Sequence, residues 1–326
     1  MGIPDQELSF ACAPYDRITP LFLGEAAIEG YRVRPVPMRR PTEIFKGMVE
    51  DSAFDVAEMS LSQCFENATL ADPPFRAVPV FPSRAFRHGF VFVNRRAGIR
   101  RPADLAGRRI GVQHYGMSAA VWIRSALRSG YGVDFSGVTW VEGAVNALGA
   151  DVKVAGGPPP GGVRVEAVVD STLSDLLARG EIDAVIGAWV PDSFRWSDDV
   201  VRLFPDHRGE ERRYFRRTGI FPIMHALAIR SSLVEQRPDL PRLVFDACLH
   251  ARDIALQQHR STGALSTMLP WLHDDLDEID AVFGPDFWSY GLKNNRTVLR
   301  HFAEALVAEG ALAAVPPLEE VFLPLD

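Results

Sequence analysis

The sequence predicts two α/β units followed by a helical C-terminal third, and three observations carry that prediction. Apolar runs and capped periodic segments alternate as strand, helix, strand, helix, strand from Leu8 to Met59. A second alternating set begins at Val91. From His225 a single strand is followed by largely helical periodicity to Gly310. Two such units imply two lobes and a cleft, with ligands bound beyond the carboxyl ends of the strands. The stretches to watch are therefore Pro14–Arg17, Glu58–Ser60, Gln113–Ser118 and Ala188–Asp192.

In the first set, Leu8–Ala13 is a short apolar run. Thr19 before Pro20 then gives a hydroxyl cap and a first-turn proline for a helix expected to reach Gly30. Arg32–Pro37 alternates as a strand, Thr42 caps a helix through Asp51, and Phe54–Met59 is a third strand. Ser60 and Gln63 have capping-box spacing, which turns the chain from strand into helix at Ser60. In the second set, Val91–Asn94, Arg109–Gln113, Val138–Glu142, Val163–Val169 and Ala184–Gly187 read as strands. Pro102–Gly107, Ser118–Ser129 and Thr172–Arg179 read as helices. Gly156–Gly162, GGPPPGG, is expected to be a loop and no phosphate cradle, because its prolines remove backbone donors.

Composition narrows the function classes. With 326 residues, 47% hydrophobic and 24% charged, the chain is an ordinary globular protein with room for a large core. A net charge of −7 argues against a nucleic-acid partner, and no apolar run reaches the ~18 residues of a membrane span. Cys12, Cys64 and Cys248 have no CxxC spacing, and the N-terminus lacks a basic and an apolar leader region, so a reduced, cytoplasmic location is expected. No GxSxG, P-loop, GxGxxG or zinc-type spacing occurs, and neither a cofactor nor a metal is expected.

Candidate site residues come from charge set among apolar runs. PSRAFRH, Pro82–His88, places Arg84 and Arg87 three apart beside His88, planar donors suited to carboxylates or to a solvated loop. In HYGMSA, His114–Ala119, Tyr115 and Ser118 stand at a strand-to-helix turn whose amides favour an anion. Ser118 could equally be a plain helix cap and Tyr115 a packing residue. GIFPIMH, Gly219–His225, sets His225 at a strand start after a proline bend. Glu58 ends an apolar strand, where a carboxylate is either paired or perturbed. His88, His114, His225 and Glu58 could converge on a metal without any local motif. Trp122 and Trp189 could wall an aromatic pocket or pack in the core.

FDVAEMSLS (Phe54–Ser62), DPPFRAVPVFPSRAFRHGFVFVN (Asp72–Asn94), IRRPADLAGRRIGVQHYGMSAAVWIR (Ile99–Arg124), LLARGEIDAVI (Leu176–Ile186), TGIFPIMHALAIR (Thr218–Arg230) and FWSYGLKNNRTVL (Phe287–Leu299) together resemble the 4,5-dihydroxyphthalate decarboxylase family. The resemblance covers nearly the whole chain. It implies the two-lobed fold of type 2 periplasmic binding proteins with an interlobe cleft. Lobe 1 would take residues 1–93 and 224–326, and lobe 2 residues 94–223, inserted between two hinge crossings. His114–Gly116 and the Ala-rich Gly143–Ala155 depart from the family pattern, which leaves a close analogue of the namesake substrate open.

The activity implied is loss of one carboxylate from a hydroxylated aromatic diacid, 4,5-dihydroxyphthalate to protocatechuate plus CO₂, by protonation of the ring carbon. On that reading Arg84 and Arg87 bind carboxylates with help from Tyr115, Ser118 and Arg17. His88 or His225 is the general acid, Glu58 orients a histidine or takes a phenolic proton, and Ser60 is a hydrogen-bonding contact. The partner is then a small aromatic carboxylate, with no nucleic acid and no membrane, and homo-oligomerisation is left open. The rival reading is a non-catalytic solute-binding protein of the same fold, which has no use for an acid beside its ligand.

Overall fold

The computed structural model describes residues 6–149, 161–263 and 265–325. The chain alternates as expected through its first part: β1 (Gln6–Cys12), α1 (Thr19–Leu23), β2 (Tyr31–Pro37), α2 (Pro41–Asp51), β3 (Val56–Ser60), α3 (Leu61–Asn67) and β4 (Phe75–Arg84). There follow β5 (Val91–Asn94), β6 (Arg109–Val112), α4 (Ser118–Tyr131), β7 (Thr139–Glu142), β8 (Arg164–Ala167), α5 (Leu173–Arg179), β9 (Ala184–Ile186), β10 (Val200–Arg202) and α6 (His207–Thr218). The last part holds β11 (Ile223–Arg230), α7 (Ser231–Gln236), α8 (Leu240–Arg260), α9 (Leu272–Phe283), α10 (Arg296–Ala308) and α11 (Leu318–Val321).

The strands make two sheets, β2-β1-β3-β11-β4 and β10-β5-β9-β6-β7-β8. In the first, β1 runs parallel to β2 and β3, while β11 lies antiparallel to β3 with His225 opposite Ser60 and Leu227 opposite Glu58. All five residues of β3, Val-Ala-Glu-Met-Ser, are buried, as a central strand covered on both faces should be. In the second sheet, alternate residues serve two cores: Val91, Val93, Ile110, Trp140, Ala184 and Ile186 face one, and Phe92, Val141 and Val185 the other.

The chain divides into two compact units: residues up to Arg84, His225–Thr297 and from Pro316 on, and then Ala85–Met224 with Val298–Val315. This differs from the division expected from sequence at residues 85–93, at Met224 and at residues 298–315. Residues 85–93 go with the second unit because β5 pairs with β9 and β10. Residues 298–315 do so because Phe302 packs 5.0 Å from Trp122 and Glu309 bonds Arg124, both on α4.

Three local expectations are corrected. The first helix stops at Leu23 and not at Gly30, because Gly24 takes a left-handed conformation (φ +77°) and its N–H turns back to Leu21. Thr19 does not cap that helix, since its hydroxyl donates to the Tyr15 carbonyl from inside it. Pro82–Arg84 is no loop but the end of the ten-residue β4, which tolerates Pro79 and Pro82 as an edge strand. The GGPPPGG stretch lies mostly outside the described residues, with Gly161 and Gly162 in a turn.

Candidate active site

The first unit gathers its buried charge at the carboxyl ends of β1 and β3. Glu58 and Ser60 are two residues apart on β3 and so share a face, and His225 lies opposite Ser60 on β11. This makes Glu58 and His225 diagonal cross-strand neighbours, a separation that long side chains bridge. His225 Nδ1 stands 2.5 Å from Glu58 Oε1, and the Glu58 side chain has no exposure while that of His225 keeps 20%. The same oxygen accepts from the Tyr15 hydroxyl at 2.7 Å. The other, Oε2, accepts from the Ala13 N–H at 3.0 Å and the Cys12 thiol at 3.4 Å.

Four donors on one carboxylate decide its charge. Burial pushes the Glu58 carboxyl up, but His225, the Ala13 N–H and the Tyr15 hydroxyl outweigh it and hold the group below the usual carboxylate range. Burial, reinforced by the Glu58 charge, pushes both the Tyr15 hydroxyl and the Cys12 thiol up, so each keeps its proton and donates. A charged Glu58 accepts only, which makes His225 Nδ1 the protonated donor and leaves Nε2 as the working nitrogen. Phe45 packs its ring edge-on against the imidazole, with centroids 5.1 Å apart.

Arg17 completes this cluster. Its guanidinium lies between two aromatic faces, 4.4 Å from the Tyr15 ring centroid and 4.1 Å from that of Trp288. Nε donates to the Pro82 carbonyl at 2.6 Å and Nη1 to Asp16 Oδ1 at 2.8 Å. Tyr15 thus serves twice: its hydroxyl fixes Glu58 and its ring carries Arg17.

The remaining candidates have other surroundings. Arg84 is 8% exposed and donates to the Ser289 carbonyl and, at 2.5 Å, to Asn295 Oδ1; burial pulls its guanidinium down to about 9. These contacts, both made through Nη2, tie β4 to the segment before α10. His88 belongs to the second unit, where Phe204, Tyr214 and Tyr131 ring it at 5.2–6.4 Å and neither ring nitrogen has a hydrogen-bond partner among the described residues. Burial pulls its imidazole down to about 4, so it is neutral near pH 7 and unsuited to deliver a proton.

Arg87 packs over Phe90, with Nε 3.3 Å from the Met224 sulfur. Tyr115 and Ser118 are both buried at the turn into α4, with the Tyr115 N–H on Glu142 and the Tyr115 carbonyl on Arg124. Trp122 is core and bonds the Ile223 carbonyl, whereas Trp189 is half exposed. Among the described residues no group of three or more His, Cys, Asp or Glu is arranged to hold a metal, and no helix is long and apolar enough to cross a membrane.

Sequence reasoning passed over Tyr15, Cys12 and Trp288. Tyr15 lies inside Pro14–Arg17, a stretch marked by its place after a strand, but nothing local distinguishes its hydroxyl from that of a packing tyrosine.

Known proteins can be compared with this geometry. No family profile matches the chain. Among solved structures, the periplasmic aliphatic sulphonate binding protein SsuA of Escherichia coli superposes with a TM-score of 0.55 at 13% identity, over 98% of this chain and 92% of that one. DSZB in complex with biphenyl-2-sulfinic acid gives 0.54 at 17% identity, over 99% and 97%. The Candida albicans CA3427 gene product, described as having the generic periplasmic binding protein fold, gives 0.50 at 14% identity, over 98% and 94%. These likenesses establish a periplasmic-binding-protein-like α/β fold.

Sequence relatives go further. The 4,5-dihydroxyphthalate decarboxylase of Pseudomonas putida is 39% identical over 211 residues, 64% of this chain and 81% of the relative. The protein of that name from Comamonas testosteroni is 40% identical over 320 residues, 98% of this chain and 96% of the relative. Identity of that extent along the full length places the chain in the 4,5-dihydroxyphthalate decarboxylase family.

Proposed function

We propose that this protein is a carboxy-lyase that removes one carboxylate from 4,5-dihydroxyphthalate or a close analogue, releasing CO₂ and protocatechuate or its counterpart. The observation that carries this reading, beside family membership, is the 2.5 Å contact between His225 and the fully buried Glu58. Direct loss of CO₂ from an arene would leave an aryl anion. Protonating the ring carbon first avoids it: Nε2–H of the His225 imidazolium gives its proton to the carbon bearing the carboxylate. The hydroxyl para to that carbon supplies the electrons and passes its proton to water, from which the phenolate regains one when the ring is restored. The carbon–carboxylate bond then breaks, its electron pair restores the aromatic ring, and CO₂ departs.

Each residue has one part in this. Glu58, with all four contacts filled, orients His225 and stabilises the imidazolium, which leaves it no free oxygen for a phenolic proton. Arg17 holds the retained acid arm. Ser60, opposite His225, is a hydrogen-bonding contact. Arg17 takes the place of Arg84 as the carboxylate anchor. The same reading places the chain in the cytoplasm, in the breakdown of phthalate-type diacids.

Incubation with 4,5-dihydroxyphthalate in D₂O tests the proposal. One CO₂ per substrate and a single deuterium on the vacated ring carbon are expected. Stable binding without CO₂ release would return the chain to the solute-binding class.

A further inference from the structure

Arg17 carries its own competitor. Asp16 is the neighbouring residue, and an arginine fork facing a carboxylate ordinarily closes into two parallel hydrogen bonds. Here it does not. Asp16 Oδ1 alone meets Arg17, accepting from its backbone N–H and from Nη1, each at 2.8 Å. Oδ2 turns the other way and lies 2.7 Å from His259 Nε2. The carboxylate accepts, so Nε2 carries the proton, and Nδ1 takes the Ser266 hydroxyl at 3.1 Å. His259 is in the last turn of α8 and its side chain is only 16% exposed. Among the described residues nothing accepts from Arg17 Nη2.

We infer that His259 is a positioning residue. It holds Asp16 to a one-oxygen contact with Arg17 and so keeps the outer edge of the guanidinium open for an acid arm of the substrate. The inference rests on the reading of Arg17 as the carboxylate anchor. Without His259, Oδ2 swings to Nη2, the pair closes on itself, and an incoming carboxylate must displace it.

The test is a double-mutant comparison with two readouts: the dissociation constant of phthalate by calorimetry, which needs no turnover, and KM and kcat for 4,5-dihydroxyphthalate. His259→Ala is expected to weaken phthalate about 10-fold and to raise KM alike, with kcat within about 2-fold, the scale of one charge-assisted hydrogen bond. His259→Gln, whose amide can donate in place of Nε2, should restore most of the affinity. Adding Asp16→Ala to His259→Ala removes the competitor and should bring affinity back to within about 3-fold of wild type. Unchanged affinity in His259→Ala, or a double variant as weak as or weaker than the single, overturns the inference. Phthalate binding that follows this pattern without CO₂ release removes the decarboxylase reading and leaves the role of His259 standing. Decarboxylation by a protein that binds no phthalate does the reverse.

Discussion

His225 Nδ1 meets Glu58 Oε1 at 2.5 Å, and the carboxylate it meets has no access to solvent. A buried charge of this kind persists only where its partners are in place, and here there are four. Glu58→Gln keeps the shape but removes the charge that holds the tautomer and supports the imidazolium. We expect kcat to fall roughly 100-fold or more with KM nearly unchanged, and His225→Gln to fall at least as far. Single-turnover assays on folded protein check this, and undiminished CO₂ release from His225→Gln would remove the acid assignment.

Tyr15 separates the two halves of the site. Tyr15→Phe deletes the hydrogen bond to Glu58 and keeps the ring under Arg17. It should cost about 10-fold in kcat, near the 1.5 kcal/mol of a hydrogen bond to a charged group, and leave KM within about 2-fold. Tyr15→Ala removes both supports and should raise KM as well. A KM effect in Tyr15→Phe equal to that in Tyr15→Ala would show that the ring does not seat the arginine.

Arg84 offers the contrasting case. Its guanidinium is bound to Ser289 and Asn295, so Arg84→Met should lower Tm by several degrees while the folded fraction keeps its KM within about 2-fold. A KM increase of 10-fold or more at unchanged Tm would return Arg84 to substrate binding.

The fold was legible because its evidence is local and repeated. First-turn prolines and apolar runs place most strands and helices to within a few residues, although Thr42, expected as a cap, lies inside α2 after Pro41, and the buried β3 reads as a short apolar run interrupted by Glu58 and closed by Ser60. β4 and α6 are among the elements that were not legible, for different reasons. The prolines of β4 look like strand breakers unless its edge position is known. α6, His-Arg-Gly-Glu-Glu-Arg-Arg-Tyr-Phe-Arg-Arg-Thr, buries little beyond Gly209 and Tyr214 and has no apolar stripe to find. In the site, Glu58 and His225 could be nominated singly, but their meeting depends on the antiparallel register of β11 on β3, across 167 residues. The roles of Asp16 and His259 depend on a side-chain contact across 243 residues, which no spacing rule reports.

His88 makes stability depend on pH. Its folded imidazole titrates at about 4 against an ordinary value of 6.5, because its aromatic cage excludes water and supplies no acceptor. Between those values the unfolded chain binds the proton that the folded chain refuses, so stability rises with pH across the window. Its contribution is therefore intact above about pH 6.5 and is lost as pH falls toward 4, by on the order of 3 kcal/mol at most. Glu58, lowered in the folded state, adds loss in the same direction at more acid pH, as pH falls through its folded value. His88→Leu should flatten the denaturant midpoint between pH 6.5 and 4, and an unchanged slope would mean that the imidazole is solvated.

The second unit has its own buried charge, Arg124 against Glu309, with side chains 0% and 2% exposed. Arg124 Nε and Nη2 bond the two carboxylate oxygens at 2.7 and 2.6 Å, and Nη2 also donates to the Tyr115 carbonyl. The half-buried Arg128 reaches the same carboxylate only at 3.9 Å, too far to replace Arg124. The pair ties α4 to the end of α10. Removing either partner strands a charge in the core, and Glu309→Ala should cost roughly 3–5 kcal/mol. Replacing both, Arg124→Met with Glu309→Leu, should cost much less, because no uncompensated charge is left behind. Urea unfolding of the two single variants and the double variant measures this. Additive losses would show that the two groups are not coupled, whereas a double variant more stable than either single identifies the stranded charge as the source of the penalty.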